Sequence, residues 1–151
     1  MSTSDSSSRP AAGPKLPPCG PSITIVQAKK VAAAALEPAY TNGWTMVIAI
    51  ADPAGHLVYL EKMDETQVGS VKIAESKARS AAIFKRPTKV FQDRLARGGD
   101  GLLVLRLDGV VPVEGGVPII VDGKLIGALG VSGGSSAEDE ACAEAGAKAL
   151  G

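Results

Sequence analysis

A single histidine, His56, stands in the 151 residues of the chain, at the end of the run Asp52-Pro53-Ala54-Gly55-His56. An imidazole there offers two chemistries: axial ligation of a haem iron, or proton transfer beside a carboxylate. Asp52, Glu114, Glu138 and Asp139 are the carboxylates nearest to turns and glycine pairs, and of these Asp52 and Glu138 join His56 as the catalytic candidates. The plainer reading of His56 is an exposed, hydrogen-bonded residue where a turn becomes a strand. One histidine excludes a multi-histidine metal site within one chain, which confines any metal role of His56 to the axial position of a haem. Nucleophilic catalysis has little support, because no Ser or Cys sits in a strand–turn–helix elbow.

Ligand-binding candidates fall into two groups. Gly115-Gly116 and Gly133-Gly134-Ser135 frame a hairpin and open a helix, where free N–H groups and the helix dipole suit a carboxylate or phosphate. An ordinary cap made by Ser135 or Ser136 uses the same donors, and Glu138 and Asp139 would repel an anion. Lys72, Lys77 and Arg79 lie on one helical segment with Ser80 beside them. Lys72 and Arg79 share a face and Lys77 sits across from them. They form either a solvated face or a basic patch for an acidic substrate, and Glu75 is spaced to pair with Arg79 one turn on.

Several elements must position these residues. Thr24-Ile25-Val26-Gln27 has the capping-box pattern before an Ala-rich helix. Pro38 is expected to kink or end that helix near Glu37. Trp44–Ala51 reads as a buried strand and His56–Glu61 as its return. Val68–Phe84 switches to a helical period, and Pro87 opens another helix. Leu102–Leu107 and Val110–Val113 are short apolar runs read as further strand. Asp122-Gly123 between Val117–Val121 and Leu125–Val131 is a strong hairpin signal. Ser135-Ser136 with Glu138, Asp139 and Glu140 starts a last helix. Helices grouped between antiparallel strands make an α+β fold.

Residues 1–22, rich in Ser, Pro and Gly, are expected to be a disordered or loosely ordered tail, with a single domain over 23–151. Sixteen basic residues balance sixteen acidic ones, which argues against a nucleic-acid or membrane-surface partner. Two cysteines, Cys19 and Cys142, form neither a disulfide framework nor a metal-ligand spacing. No export signal and no apolar run of membrane-spanning length is visible, so the expected location is cytoplasmic.

Six blocks in order carry a resemblance. They are Ile23-Thr24 before the Ala-rich helix, Ile50–Leu57, Met63-Asp64, Ala74–Ala78, Gly115–Ile119, and Gly127–Gly134 with Asp139. Over residues 23–150 the chain resembles the GlcG/HbpS family, related to the C-terminal domain of the PduO adenosyltransferases. The resemblance implies a profilin-like α/β/α sandwich with a five-stranded antiparallel sheet and flanking helices. It also implies a homo-oligomer, and haem as the cofactor where there is one. Many relatives carry Thr where this chain has Arg79-Ser80, with Ser80 a partial substitute for its hydroxyl.

Three functions follow. The first is a protein binding haem or a similar planar small molecule in a pocket near a subunit interface. The second is a cofactor-independent acid–base enzyme of lyase, isomerase or hydratase type acting on a small carboxylate. The third is an oligomeric accessory or scaffold protein.

Overall fold

Thr24 begins the first helix with both arms of its capping box closed. The Gln27 N–H donates to Thr24 Oγ1 at 3.1 Å, and the Thr24 N–H donates to Gln27 Oε1 at 2.9 Å. The computed structural model describes Gly13 and residues 15–151, so residues 1–12 and Pro14, most of the expected tail, lie outside the described residues. Helix α1 spans Ile25–Asn42 and passes Pro38 instead of ending near Glu37. An interior proline costs about 3 kcal/mol, and here the helix keeps burying its apolar face on both sides of it, with Leu36 and Ala39 in the core. Gly43, at φ 70°, supplies the left-handed residue that stops it.

Strands β1 (Val47–Ala51) and β2 (Leu57–Lys62) form a hairpin. Helices α2 (Ser70–Ile83) and α3 (Thr88–Ala96) follow, then a 3-10 segment, Gly99–Arg106. Strands β3 (Gly116–Val121) and β4 (Lys124–Ser132) form the second hairpin, and α4 covers Ser136–Ala147. Asp122 and Gly123, at φ 51° and 74°, both take the positive values of a tight hairpin turn. Among the described residues no helix is long and apolar enough to cross a membrane.

The sheet has four strands in the order β2-β1-β4-β3, all antiparallel, and not the expected five. Leu102–Leu107 is not a strand. Its leucines favour helix and do not alternate, and the segment is entered through Gly98 and Gly99, both at positive φ. It buries Gly101 and Val104 and leaves Leu102, Leu103 and Leu105 exposed. Val110–Val113 is likewise outside any strand. Beside β4 the chain instead lays down Pro18–Gly20, with N–H···O bonds of 2.8 Å both ways to Leu125 and one bridge at Cys19.

The sheet's two faces differ in kind. Ile48, Ile50, Leu129 and Val131 point to α1 and α4 and form the main core with Val31, Leu36 and Cys142. The opposite face offers Val47, Ala49 and Ala51 to Ala74 and Ala78 of α2, with Ala128 against Ala81 and Ala82. Small residues on both sides let the α2 backbone settle close to the sheet. At Gly130 an added Cβ would run into the Ala74 carbonyl and lie 2.5 Å from the Ala78 nitrogen. Overpacking of that kind costs about 2–3 kcal/mol. Gly130→Ala is therefore expected to lower the unfolding free energy by about that amount in urea, and an unchanged midpoint would contradict the close seating of α2.

Candidate functional site

A cavity of about 360 Å³ opens where the β1–β2 turn meets α2. Its apolar wall is Ala51, Leu57 and Ala78, its polar rim is His56, Glu75, Ser76 and Arg79, and Gly55 lies between. The turn is built by Asp52. Its Oδ1 accepts the Ala54 N–H at 3.0 Å and the His56 N–H at 2.9 Å, an Asx turn that fixes where His56 leaves the strand. The other carboxylate oxygen faces His56 Nδ1 at 3.5 Å, and the imidazole is 82% exposed. A ring with a carboxylate on its Nδ1 side can ligate through Nε2.

Of the residues singled out from the sequence, His56 and Arg79 line this cavity, and Asp52 supports it from behind. Lys72 is exposed and takes Glu75 at 3.3 Å, so Glu75 pairs with Lys72 and not with Arg79. The Ser80 hydroxyl is buried and accepts the Val111 N–H at 3.1 Å. Glu138 lies in the first turn of α4, with its backbone N–H on Ser135 Oγ at 3.2 Å, and is not part of the cavity lining. Sequence reasoning did not single out Ser76, Ala78 or Leu57, which carry no chemical signature of their own.

Three of the four N–H groups in the two glycine pairs are held by the chain itself. The Gly116 N–H donates to Thr88 Oγ1 at 2.9 Å, and the Gly115 N–H to Glu140 Oε2. The Gly134 N–H donates to Asp139 Oδ1 at 3.0 Å. The N–H groups of Gly115, Gly116 and Gly134 therefore serve protein oxygens.

Lys77 is the unexpected residue. Its side chain is 1% exposed, and its ammonium donates to the Val131 carbonyl and to Asp139 Oδ2, each at 2.9 Å. Burial pushes the Asp139 carboxyl above the usual carboxylate range, while Lys77 and the Gly134 N–H pull it back. Burial also raises Glu140, against the pull of the Gly115 N–H. The thiol of Cys142 is pushed up to about 11, chiefly by burial, which makes it a packing residue and not a nucleophile. Among the described residues no three His, Cys, Asp or Glu side chains gather as metal ligands.

The family model for the haem degrading protein HbpS-like matches residues 23–148. The chain belongs to the HbpS-like family. It is 40% identical over 105 residues to protein GlcG of Escherichia coli strain K12, covering 70% of this chain and 77% of that one. In structure it matches a double mutant of HbpS from Streptomyces reticuli at TM-score 0.78 and 30% identity, over 94% of this chain and 99% of the other. It also matches a PduOC:haem complex at TM-score 0.76 and 29% identity, over 85% and 95%. These HbpS-like relatives share the α+β fold, with its antiparallel sheet and flanking helices.

The buried pair yields a prediction. Lys77→Met leaves the Asp139 carboxylate in a buried site without its cation, a change that costs about 3–5 kcal/mol. A raised folded-state value means that the protonated form is favoured by folding, so stability is present in acid and lost as pH rises through that value. The deficit of the variant against wild type in urea should thus be smaller near pH 4 than near pH 7. A deficit that is flat or grows in acid would contradict the pairing.

Proposed function

We propose that this HbpS-like chain binds haem or a similar planar small molecule in the cavity between the β1–β2 turn and α2, with His56 as the iron ligand. The observation that carries the reading is the His56 ring itself. It stands at the cavity rim, 82% exposed, with Asp52 on its Nδ1 side. The donor set fits the group. A haem iron already has four porphyrin nitrogens and asks the protein for an axial ligand, which one histidine supplies where a bare metal ion would need a cluster. Ala51, Leu57 and Ala78 offer an apolar wall for a flat ring, and the solved PduOC:haem complex among the similar structures supports the same class of ligand. When bound, the haem would bring redox chemistry, while the residues of this chain would orient and hold it.

The acid–base alternative draws less support. Asp52 and His56 are together, but Glu138 is outside the cavity lining, and Glu75, the carboxylate in that lining, is already paired with Lys72.

Assembly into a homo-oligomer belongs to the same reading. Leu102, Leu103 and Leu105 are 54%, 64% and 64% exposed and give subunits an apolar surface to bury.

Haem titration is the test. Wild type should give a saturable Soret shift at a fixed stoichiometry, and His56→Ala should weaken binding at least about tenfold, roughly 1.4 kcal/mol. Binding that is unaffected by His56→Ala, or that never saturates, would overturn the site. Light scattering on the same sample should give a mass above the 15.3 kDa of one chain, and a monomer would remove the assembly.

A further inference from the structure

Arg79 is an exposed cation whose side chain lies close to two glycines from different loops, Gly55 in the β1–β2 turn and Gly109 ahead of β3. A Cβ at Gly55 would lie 2.9 Å from Arg79 Cγ, and one at Gly109 would lie 2.9 Å from Arg79 Nη1. Both glycines have positive φ, 87° and 82°, so the turns that make room for the arginine are ones that side chains disfavour. Ile83, one turn further along α2, lies beside both glycines.

Among the described residues this guanidinium has no ion-pair partner, since Glu75, the carboxylate one turn earlier, is engaged by Lys72. The result is a cation without an ion-pair partner among the described residues, on a side chain that lines the same cavity as His56. An arginine offers five N–H donors in a planar fork, matched to a carboxylate. Gly55 borders its stem and Gly109 its guanidinium, which limits its rotamers and lowers the side-chain entropy lost on holding an anion.

We infer that Arg79 is the specificity-determining anchor for a carboxylate on the bound ligand, and that Gly55 and Gly109 are its positioning residues. The inference rests on the cavity being the ligand site. The ligand class it names is a planar molecule with an apolar body, which lies against Ala51 and Ala78, and with at least one carboxylate that reaches the rim. A neutral analogue of the same shape should bind less well. Lys72, on the same helix, is not in the cavity lining and its ammonium faces Glu75.

The test uses the full chain and two probes that share the same ring and iron and differ at the two carboxylates: iron protoporphyrin IX and its dimethyl ester. At low ionic strength, wild type should bind the diacid about three- to tenfold more tightly than the ester, the scale of one exposed to partly shielded charge pair. That ratio should fall toward one in Arg79→Met, survive in part in Arg79→Lys, and shrink with added salt. Gly109→Asn tolerates the left-handed backbone but adds a Cβ where Nη1 lies, so it should reduce the ratio without abolishing the Soret band. Equal affinity of wild type for the two probes, or a ratio that survives Arg79→Met, overturns the anchor and leaves the ligand site standing. A ratio unchanged in Gly109→Asn overturns the positioning role. Binding of neither probe overturns the ligand site itself, and the anchor with it.

Discussion

Lys77 carries an ammonium group into the layer between α2 and the sheet, and the surrounding chain is arranged to hold that charge. Moving such an ion out of water costs several kcal/mol unless its partners are well placed. The Val131 carbonyl and the Asp139 carboxylate meet it from β4 and α4. Asp139 is in turn fixed by the Gly134 N–H. Gly115 is glycine for the same reason, because a Cβ there would lie 2.8 Å from Lys77 Nζ and 3.1 Å from Asp139 Cβ. One side chain thus ties α2, β4, α4 and the loop before β3 together. One glycine of each pair that looks like a ligand-binding loop, Gly115 and Gly134, is a component of this lock.

The lock matters for function because it faces away from the cavity. Lys77 and Ala74 look inward, while Glu75, Ser76 and Arg79 on the same helix look toward the β1–β2 turn. Seating α2 on alanine and glycine brings its backbone close to the sheet, and the buried ion pair sets how far along the sheet it rests. The rotation and height of α2 then decide where Arg79 and Ser76 stand relative to His56. The site is shallow and open, and its polar groups come from a rigid helix and a turn braced by Asp52. That suits holding a flat ligand by one edge more than enclosing a small substrate.

Much of the fold was legible in the sequence where local chemistry decides structure. The capping box at Thr24 and Gln27, the Asp122-Gly123 turn and the period of α2 all formed as their residue types require. Leu102–Leu107 misled because apolar content without alternation does not distinguish strand from tight helix, and tertiary packing left most of its leucines outside. Pro38 misled because a local penalty was outweighed by burial on both sides of it. Lys77 was readable in principle, since it shares the spacing of Ala74, Ala78 and Ala81, but its charge argued for solvent and its partner lies 62 residues away. His56 and Arg79 were both singled out from the sequence. Their meeting in one cavity was not, because it depends on a turn and a helix that only the packing of α2 brings together.

The most direct test of the account uses the fact that His56 is the sole histidine, so its imidazole C–H signals can be assigned without ambiguity in a carbon–proton correlation spectrum. Substoichiometric ferric haem should broaden or shift those signals first, together with the methyl signals of Ala51, Leu57 and Ala78. An imidazole left unperturbed while haem binds, with changes centred on other residues, would contradict the placement of the ligand in this cavity.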